Sequence, residues 1–188
     1  MRILVVYGSK RGGTAGLAAM IGSALESADV IADVTPASTV RSLEGYDAVI
    51  VGGAVYMHRW HKDARRFVRR HAAELAALPV WLFSSGPLDD SATRGVIEPV
   101  EQAKQAMRQC HARGHMTFGG RLSPYVRGFA AGAMAKQMAG DWRDRTHVNR
   151  WVREILGQPG RPARPADPLT RAAPQRAPAM PTARAAVR

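Results

Sequence analysis

The chain has 188 residues, with 27 Lys and Arg against 15 Asp and Glu, a formal net charge of +12. That length suits one α/β domain with a real core and is short for two. No apolar run of about 18 residues occurs, which excludes a spanning helix, and the one cysteine, Cys110, excludes an internal disulfide.

A single cysteine fits a reducing compartment. Cys110 stands in a helical pattern beside His111 and reads as a packed helix residue rather than a nucleophile. The first residues run straight into an apolar stretch with no charged leader or small-residue cleavage site, so no secretory signal is expected. The basic balance favours anionic surfaces: nucleic acid, acidic lipid or an acidic protein.

The N-terminal stretch MRILVVYGSKRGGTAG is the most informative. Ile3 to Tyr7 is a branched apolar run, as expected of a strand buried on both faces of a parallel sheet. Small, polar and basic residues follow: Gly8, Ser9, Lys10, Arg11, Gly12, Gly13 and Thr14. From Ala15 a helical pattern begins, with Leu17, Met20, Ile21 and Ala24 near one face.

Strand, Gly/Ser-rich turn and helix together form a phosphate-holding geometry. The first helical N–H groups have no internal partner, and the helix dipole attracts an anion there. Gly12 and Gly13 let the backbone approach oxygen atoms closely. Ser9 and Thr14 offer hydroxyl donors, and Lys10 and Arg11 offer charge. Neither the dinucleotide pattern Gly-x-Gly-x-x-Gly nor the nucleotide loop Gly-x-x-x-x-Gly-Lys-Ser/Thr is met. Two readings stand: a cradle for a ligand with one phosphate, or an ordinary tight turn.

The remaining elements alternate. Residues 30–34 read as a second, half-polar strand. Residues 47–51 (DAVIV) read as a buried strand closed by Gly52 and Gly53. Residues 62–75 read as a helix with Phe67, Val68, His71 and Leu75 inward and Arg65, Arg66, Arg69 and Arg70 outward. Residues 80–84 (VWLFS) read as a strand, 98–113 as a helix and 115–119 as a strand. Residues 144–156 read as an amphipathic helix with Val148, Trp151, Val152 and Ile155 inward. The apolar segment 124–138, punctuated by Arg127 and Lys136, reads as a helix on the sheet, with a membrane-surface helix as its alternative.

Alternating strands and helices predict a doubly wound parallel sheet covered on both faces, with right-handed crossovers. The expected order of the five strands is 2-1-3-4-5. A ligand then lies beyond their carboxyl ends, where three turns meet: residues 8–14, 52–60 and 84–90. Beyond residue 156 Pro and Ala dominate with spaced Arg, which predicts a domain over 1–156 and a disordered basic tail over 157–188. That tail has no groove-reading element or stacking platform, so no specific nucleic acid is expected.

The second turn, GGAVYMHRWH, places Ala54, Val55, Tyr56, Met57, His58, Trp60 and His61 beside the first. Tyr56 or Trp60 can stack on a flat ring, or these residues simply cover the sheet edge. The third turn offers Ser84, Ser85, Gly86, Pro87 and Leu88, whose backbone groups can read the edge of such a ring or form a plain turn.

YGSKRGGT resembles the phosphate loop of the flavodoxins, with Ser9, Gly12 and Thr14 at the matching positions. Residues 52–75 (GGAVYMHRWHKDARRFVRRHAAEL) and 140–155 (GDWRDRTHVNRWVREI) are similar to the flavodoxin-like protoporphyrinogen dehydrogenases. The similarity covers residues 1–156. It implies a three-layer flavodoxin-like fold with FMN held by residues 9–14, 54–57 and 84–88. It also implies FMN-dependent oxidation of protoporphyrinogen IX in haem biosynthesis, with a quinone as electron acceptor. A flavodoxin-like electron carrier with a redox protein as partner is the alternative. No metal is expected. The flavin carries the chemistry, with His58 and His61 as candidates for proton handling. The implied location is cytoplasmic, with peripheral contact at the inner face of a membrane as a further option.

Overall fold

The computed structural model describes residues 1–124 and 139–158. The expected readings of 124–138 as a helix and of 157–188 as a tail lie almost wholly outside these residues.

Strand β1 (Arg2–Gly8) is fully buried from Ile3 to Val6. Its side chains alternate between two cores. Leu4 and Val6 join one, Ile3 and Val5 the other. A run of branched apolar residues forms a strand here because both faces are covered, so no polar alternation is needed. β2 (Ile31–Pro36), β3 (Ala48–Tyr56), β5 (Val80–Ser85) and β6 (Gly114–Phe118) complete the parallel sheet. A two-residue strand, β4 (Arg59–Trp60), folds back antiparallel on β3. The order is β2-β1-β3-β5-β6. Counting only the five parallel strands, this is the expected 2-1-3-4-5.

One face carries α1 (Gly13–Glu26) and α6 (Arg145–Gly157). Leu17, Ile21 and Leu25 pack there with Val148, Trp151, Val152 and Ile155. Phe118 stands edge-on to Trp151 with ring centroids 5.3 Å apart. The other face carries α2 (Lys62–Arg70), α3 (Ala72–Ala77) and α5 (Glu101–Cys110). Phe67, Val68, Leu75, Ala103, Ala106 and Cys110 lie there against Val49, Val51, Val80 and Leu82. The remaining pieces are α4 (Ser91–Arg94) and a small antiparallel pair, β7 (Arg121–Leu122) with β8 (Gly140–Asp141).

Two local expectations are corrected. Gly52 and Gly53 do not close β3. The strand runs through them to Tyr56, because the Phe83 ring fills the space a Gly52 side chain would take and Trp60 fills that of Gly53. The helix over 62–75 breaks at His71, whose φ and ψ are −106° and 22°. His71 is buried, receives a hydrogen bond from Arg70 Nε (3.1 Å) and meets Glu74 Oε2 at 2.5 Å. Arg70 is exposed, as expected of that face, and its Nη2 donates to the carbonyls of Ala37 (3.3 Å) and Val40 (2.9 Å), pinning that connection to the domain.

Candidate functional site

The register brings the three turns together. Gly8 on β1 lies opposite Gly53 on β3, which lies opposite Ser84 on β5, which lies opposite Thr117 on β6. These residues form one row across the carboxyl end of the sheet. Each chain segment leaves the sheet just beyond this row, so the turns share one edge.

The first turn is held by its own hydroxyl: Ser9 Oγ accepts from Gly12 N–H at 3.1 Å. Gly12 takes φ 80°, a left-handed conformation that favours glycine. It precedes α1 as the residue at the N-cap, where its carbonyl accepts from Gly16 N–H at 3.0 Å. Among the described residues no side chain caps α1, and no acidic residue stands in its first turn. Thr14 is buried at 2% exposure in that turn. The result is a helix start with open donors and no competing negative charge.

The second turn is a β-hairpin. Val55 pairs with Trp60 and Tyr56 with Arg59, leaving Met57 and His58 as a two-residue turn. Tyr56 is half exposed, and the Arg11 guanidinium stands 5.5 Å from its ring centroid. Trp60 is not an open stacking platform. It is 1% exposed and packs into the core beneath the turn, with its backbone N–H bonded to Gln102 Oε1 at 2.9 Å. The third turn is tied to the strand beside it through Gly86 N–H to the Phe118 carbonyl at 3.1 Å. Gly120 N–H donates to the Pro87 carbonyl at 2.7 Å.

Between the turns lies a cleft of about 470 Å³, inside the usual range for small-ligand sites. Ser9, Lys10, Arg11, Gly13 and Thr14 line it from the first turn, Ala54, Val55 and Tyr56 from the second, and Ser85, Gly86 and Leu88 from the third. Gly12 is outside this lining and shapes the first turn through its positive φ. Met57 stands clear of the cleft at the hairpin tip, 74% exposed. Pro87 does not line the cleft, and Ser84 is turned away from it: buried in β5, its Oγ meets His115 Nε2 at 2.8 Å.

Sequence patterns missed part of the lining. Arg59, Lys62, Arg65, Arg121 and Leu122 also face the cleft. The basic residues of α2 look like a solvated helix face until α2 packs its start against the end of β1. There a side chain on Gly8 would meet His61 Nδ1 at 2.7 Å and the Ala64 amide at 3.0 Å. Among the described residues two buried donors on the cleft wall have no hydrogen-bond partner, Trp60 Nε1 and Arg65 Nε.

His61 lines the cleft and begins α2, its Nδ1 accepting from Asp63 N–H at 3.3 Å. Burial lowers its pKa, so it stays neutral near pH 7. His58 is exposed on the hairpin turn. Burial pushes His115 down to about 4 and the Cys110 thiol up to about 11. Cys110 is therefore an inert core residue. Among the described residues no cluster of His, Cys, Asp and Glu could hold a metal, and no helix is long and apolar enough to cross a membrane.

The profile of the flavodoxin domain matches residues 4–142. The chain belongs to the flavodoxin domain family. Solved structures with the same fold include a flavodoxin from the domain Archaea and the oxidised Flavodoxin 1 of Bacillus cereus. The archaeal protein is 17% identical with a TM-score of 0.50, covering 81% of this chain and 99% of that one. The B. cereus protein is 15% identical with a TM-score of 0.54, covering 83% and 97%. The protoporphyrinogen IX dehydrogenase [quinone] of Escherichia coli K12 is 27% identical over 86 residues, 45% of this chain and 48% of that protein. The chain thus spans about half the length of the curated relatives it matches.

Membership in this flavodoxin family indicates FMN as the cofactor. The residues fit it. An uncapped helix start with Ser9 and Thr14 suits a phosphate dianion, and the apolar Val55, Tyr56 and Leu88 with the Gly86 backbone suit a flat ring.

Proposed function

We propose that this flavodoxin-family protein is an FMN-dependent oxidoreductase of the protoporphyrinogen IX dehydrogenase type, with a quinone as electron acceptor. The observation that carries this reading is the charge of the cleft. Lys10, Arg11, Arg59, Lys62, Arg65 and Arg121 line it, more cations than one phosphate requires. Among the described residues only Arg121 of these is in an ion pair, with Asp141 at 3.8 Å. Such a cleft receives a second, anionic molecule beside the cofactor, as a substrate with carboxylates would be. The partial likeness to the E. coli dehydrogenase supports the same reading.

Bound FMN supplies the hydride and electron chemistry. The chain binds and orients. Ser9, Gly13 and Thr14 hold the phosphate at the start of α1. Tyr56 and Leu88 shield the ring from water, and Ser85 and Gly86 present backbone groups to its edge. Arg59, Lys62 and Arg65 draw an anionic substrate to the open side. His61, neutral and bonded through Nδ1, carries its proton on Nε2 and keeps the cleft wall uncharged at that point.

An electron carrier between proteins is the second reading. It is favoured by the open side of the cleft, where Tyr56 is 47% exposed. The absorbance spectrum of the purified protein tests the shared premise: flavin bands are expected, and a colourless protein that takes up no added FMN rejects both readings. Quinone-dependent oxidation of protoporphyrinogen by the yellow protein then separates enzyme from carrier.

A further inference from the structure

Trp60 and Arg65 flank the start of α2. His61 caps that helix, so Trp60 stands just before the cap and Arg65 at the fourth helical position. Side chains at these two positions commonly pack against each other across a helix start. Both residues line the cleft, and Trp60 is 1% exposed. Among the described residues Trp60 Nε1 and Arg65 Nε are buried and bond to nothing. Arg65 is also in no ion pair among these residues, and Asp63, two positions before it, stands 3.8 Å from Arg66 instead. A buried donor without an acceptor is costly, and an acceptor brought by a ligand removes that cost.

The two donors sit beside the first turn. The indole Nε1 stands 2.5 Å from where a Gly53 side chain would begin, and Gly53 pairs with Gly8, the last residue of β1. His61 Nδ1 and the Ala64 amide close on Gly8 in the same way, at 2.7 Å and 3.0 Å. From Gly8 the chain passes directly into Ser9. Helices α1 and α2 pack on opposite faces of the sheet, and each starts at its carboxyl edge. An anion above the end of β1 therefore lies between the two helix starts.

We propose that Trp60 Nε1 and Arg65 Nε complete the phosphate cradle from the α2 side, each donating to an oxygen of the FMN phosphate. Lys10 and Arg11, in the turn itself, are exposed, whereas Arg65 is half-buried. A half-buried guanidinium makes a charge-assisted bond to a phosphate that salt screens less than a surface contact. Trp60 has no charge and adds direction. A water molecule would satisfy the indole but would leave the guanidinium without a counter-charge. Arginine carries several N–H donors, so Arg65 gives Nε to the phosphate and still adds its charge to the open side. The consequence is selectivity: α2, as well as the first turn, makes the site prefer a phosphorylated flavin to riboflavin. The proposal rests on the placement of the phosphate at the start of α1 and not on the identity of the substrate.

Titration of the full-length apoprotein with FMN and with riboflavin, followed by quenching of flavin fluorescence, tests the proposal. Trp60→Phe removes the indole N–H and keeps an aromatic ring. Arg65→Met removes the guanidinium and keeps an unbranched stem. Each is expected to weaken FMN binding about tenfold or more and to leave riboflavin binding unchanged. Arg65→Met also deletes an unpartnered buried donor, so the melting temperature of its apoprotein should equal or exceed the parent's. Added KCl should weaken FMN binding less steeply in this variant than in the parent. Arg65→Met decides the question if Trp60→Phe does not fold. Unchanged FMN affinity in both variants overturns the proposal. So does an equal loss for both flavins, the result expected of a packing role. If Ser9→Ala with Thr14→Ala lowers FMN affinity while these variants do not, this inference fails and the phosphate placement stands. If none of them lowers it, both fail.

Discussion

Trp60 lies directly on Gly53: a methyl group added to Gly53 would stand 2.5 Å from the indole Nε1. The hairpin strand β4 can fold flat against β3 only because β3 carries glycine at that point. The same contact drives Trp60 into the core and leaves Tyr56 as the aromatic residue at the cleft mouth.

Gly53→Ala therefore forces a rigid, buried indole to move. The expected cost is about 1–3 kcal/mol, the usual range for overpacking. A lower urea midpoint with an unchanged slope checks it. Gly12→Ala strains the left-handed turn instead, where among the described residues nothing lies within 4 Å to clash, and should cost about 1 kcal/mol or slightly more.

Ser9→Ala and Thr14→Ala each remove a hydroxyl from the start of α1. A hydrogen bond to a charged group contributes roughly 1.5–3 kcal/mol. Each change should weaken FMN binding about tenfold or more, measured by fluorescence quenching on titration of the apoprotein. Normal affinity in the double variant would contradict the placement of the phosphate.

Met57→Asn with His58→Gly gives the hairpin turn the residues its dihedrals prefer. The pair should raise stability by about 1–2 kcal/mol, seen as a higher melting temperature. Little or no gain would mean that the turn is unstrained.

Stability should fall on mild acidification. His115 titrates near 4 in the folded chain because burial disfavours its charged form, against about 6.5 when unfolded. Between those values the unfolded chain binds more protons, so stability is present above about pH 6.5 and is lost as pH falls toward 4. The loss is at most about 3 kcal/mol. His61 and His147, both also lowered mainly by burial, add to it in the same direction. His115→Gln should flatten the slope of stability against pH in this window. Asp33 and Asp141, lowered chiefly by their bonds to Arg2 and Arg143, act at lower pH.

Cys110 is buried, and desolvation raises its thiol to about 11. Modification by a thiol reagent at pH 8 should be slow in the folded protein and should accelerate with urea. Fast labelling under native conditions would show that α5 opens locally.

Much was legible in the residue pattern. The run from Ile3 to Tyr7, the glycines and hydroxyls from Ser9 to Thr14, and the periodicity of residues 145–156 report local physics: double burial, an open helix start and one apolar stripe. Those signals carry the strands, the helices and the glycine-rich first turn, because a strand-turn-helix unit is specified by neighbours in sequence. The glycines at 52 and 53 resemble a strand end in the sequence, but their reason lies elsewhere, in Phe83 and Trp60. The basic face of α2 looks solvated in the sequence, because nothing in its own residues says that α2 starts against Gly8.

The sequence by itself determined the class of the protein and the open helix start proposed to hold one end of its ligand, since chain polarity and close-range side chains dictate both. Only the tertiary structure decided which cations surround the cleft, that Trp60 is core while Tyr56 is rim, and that Ser84 turns to His115. Those outcomes depend on cross-strand register and on which helix start meets which strand end, contacts between residues far apart in the chain that no local pattern encodes.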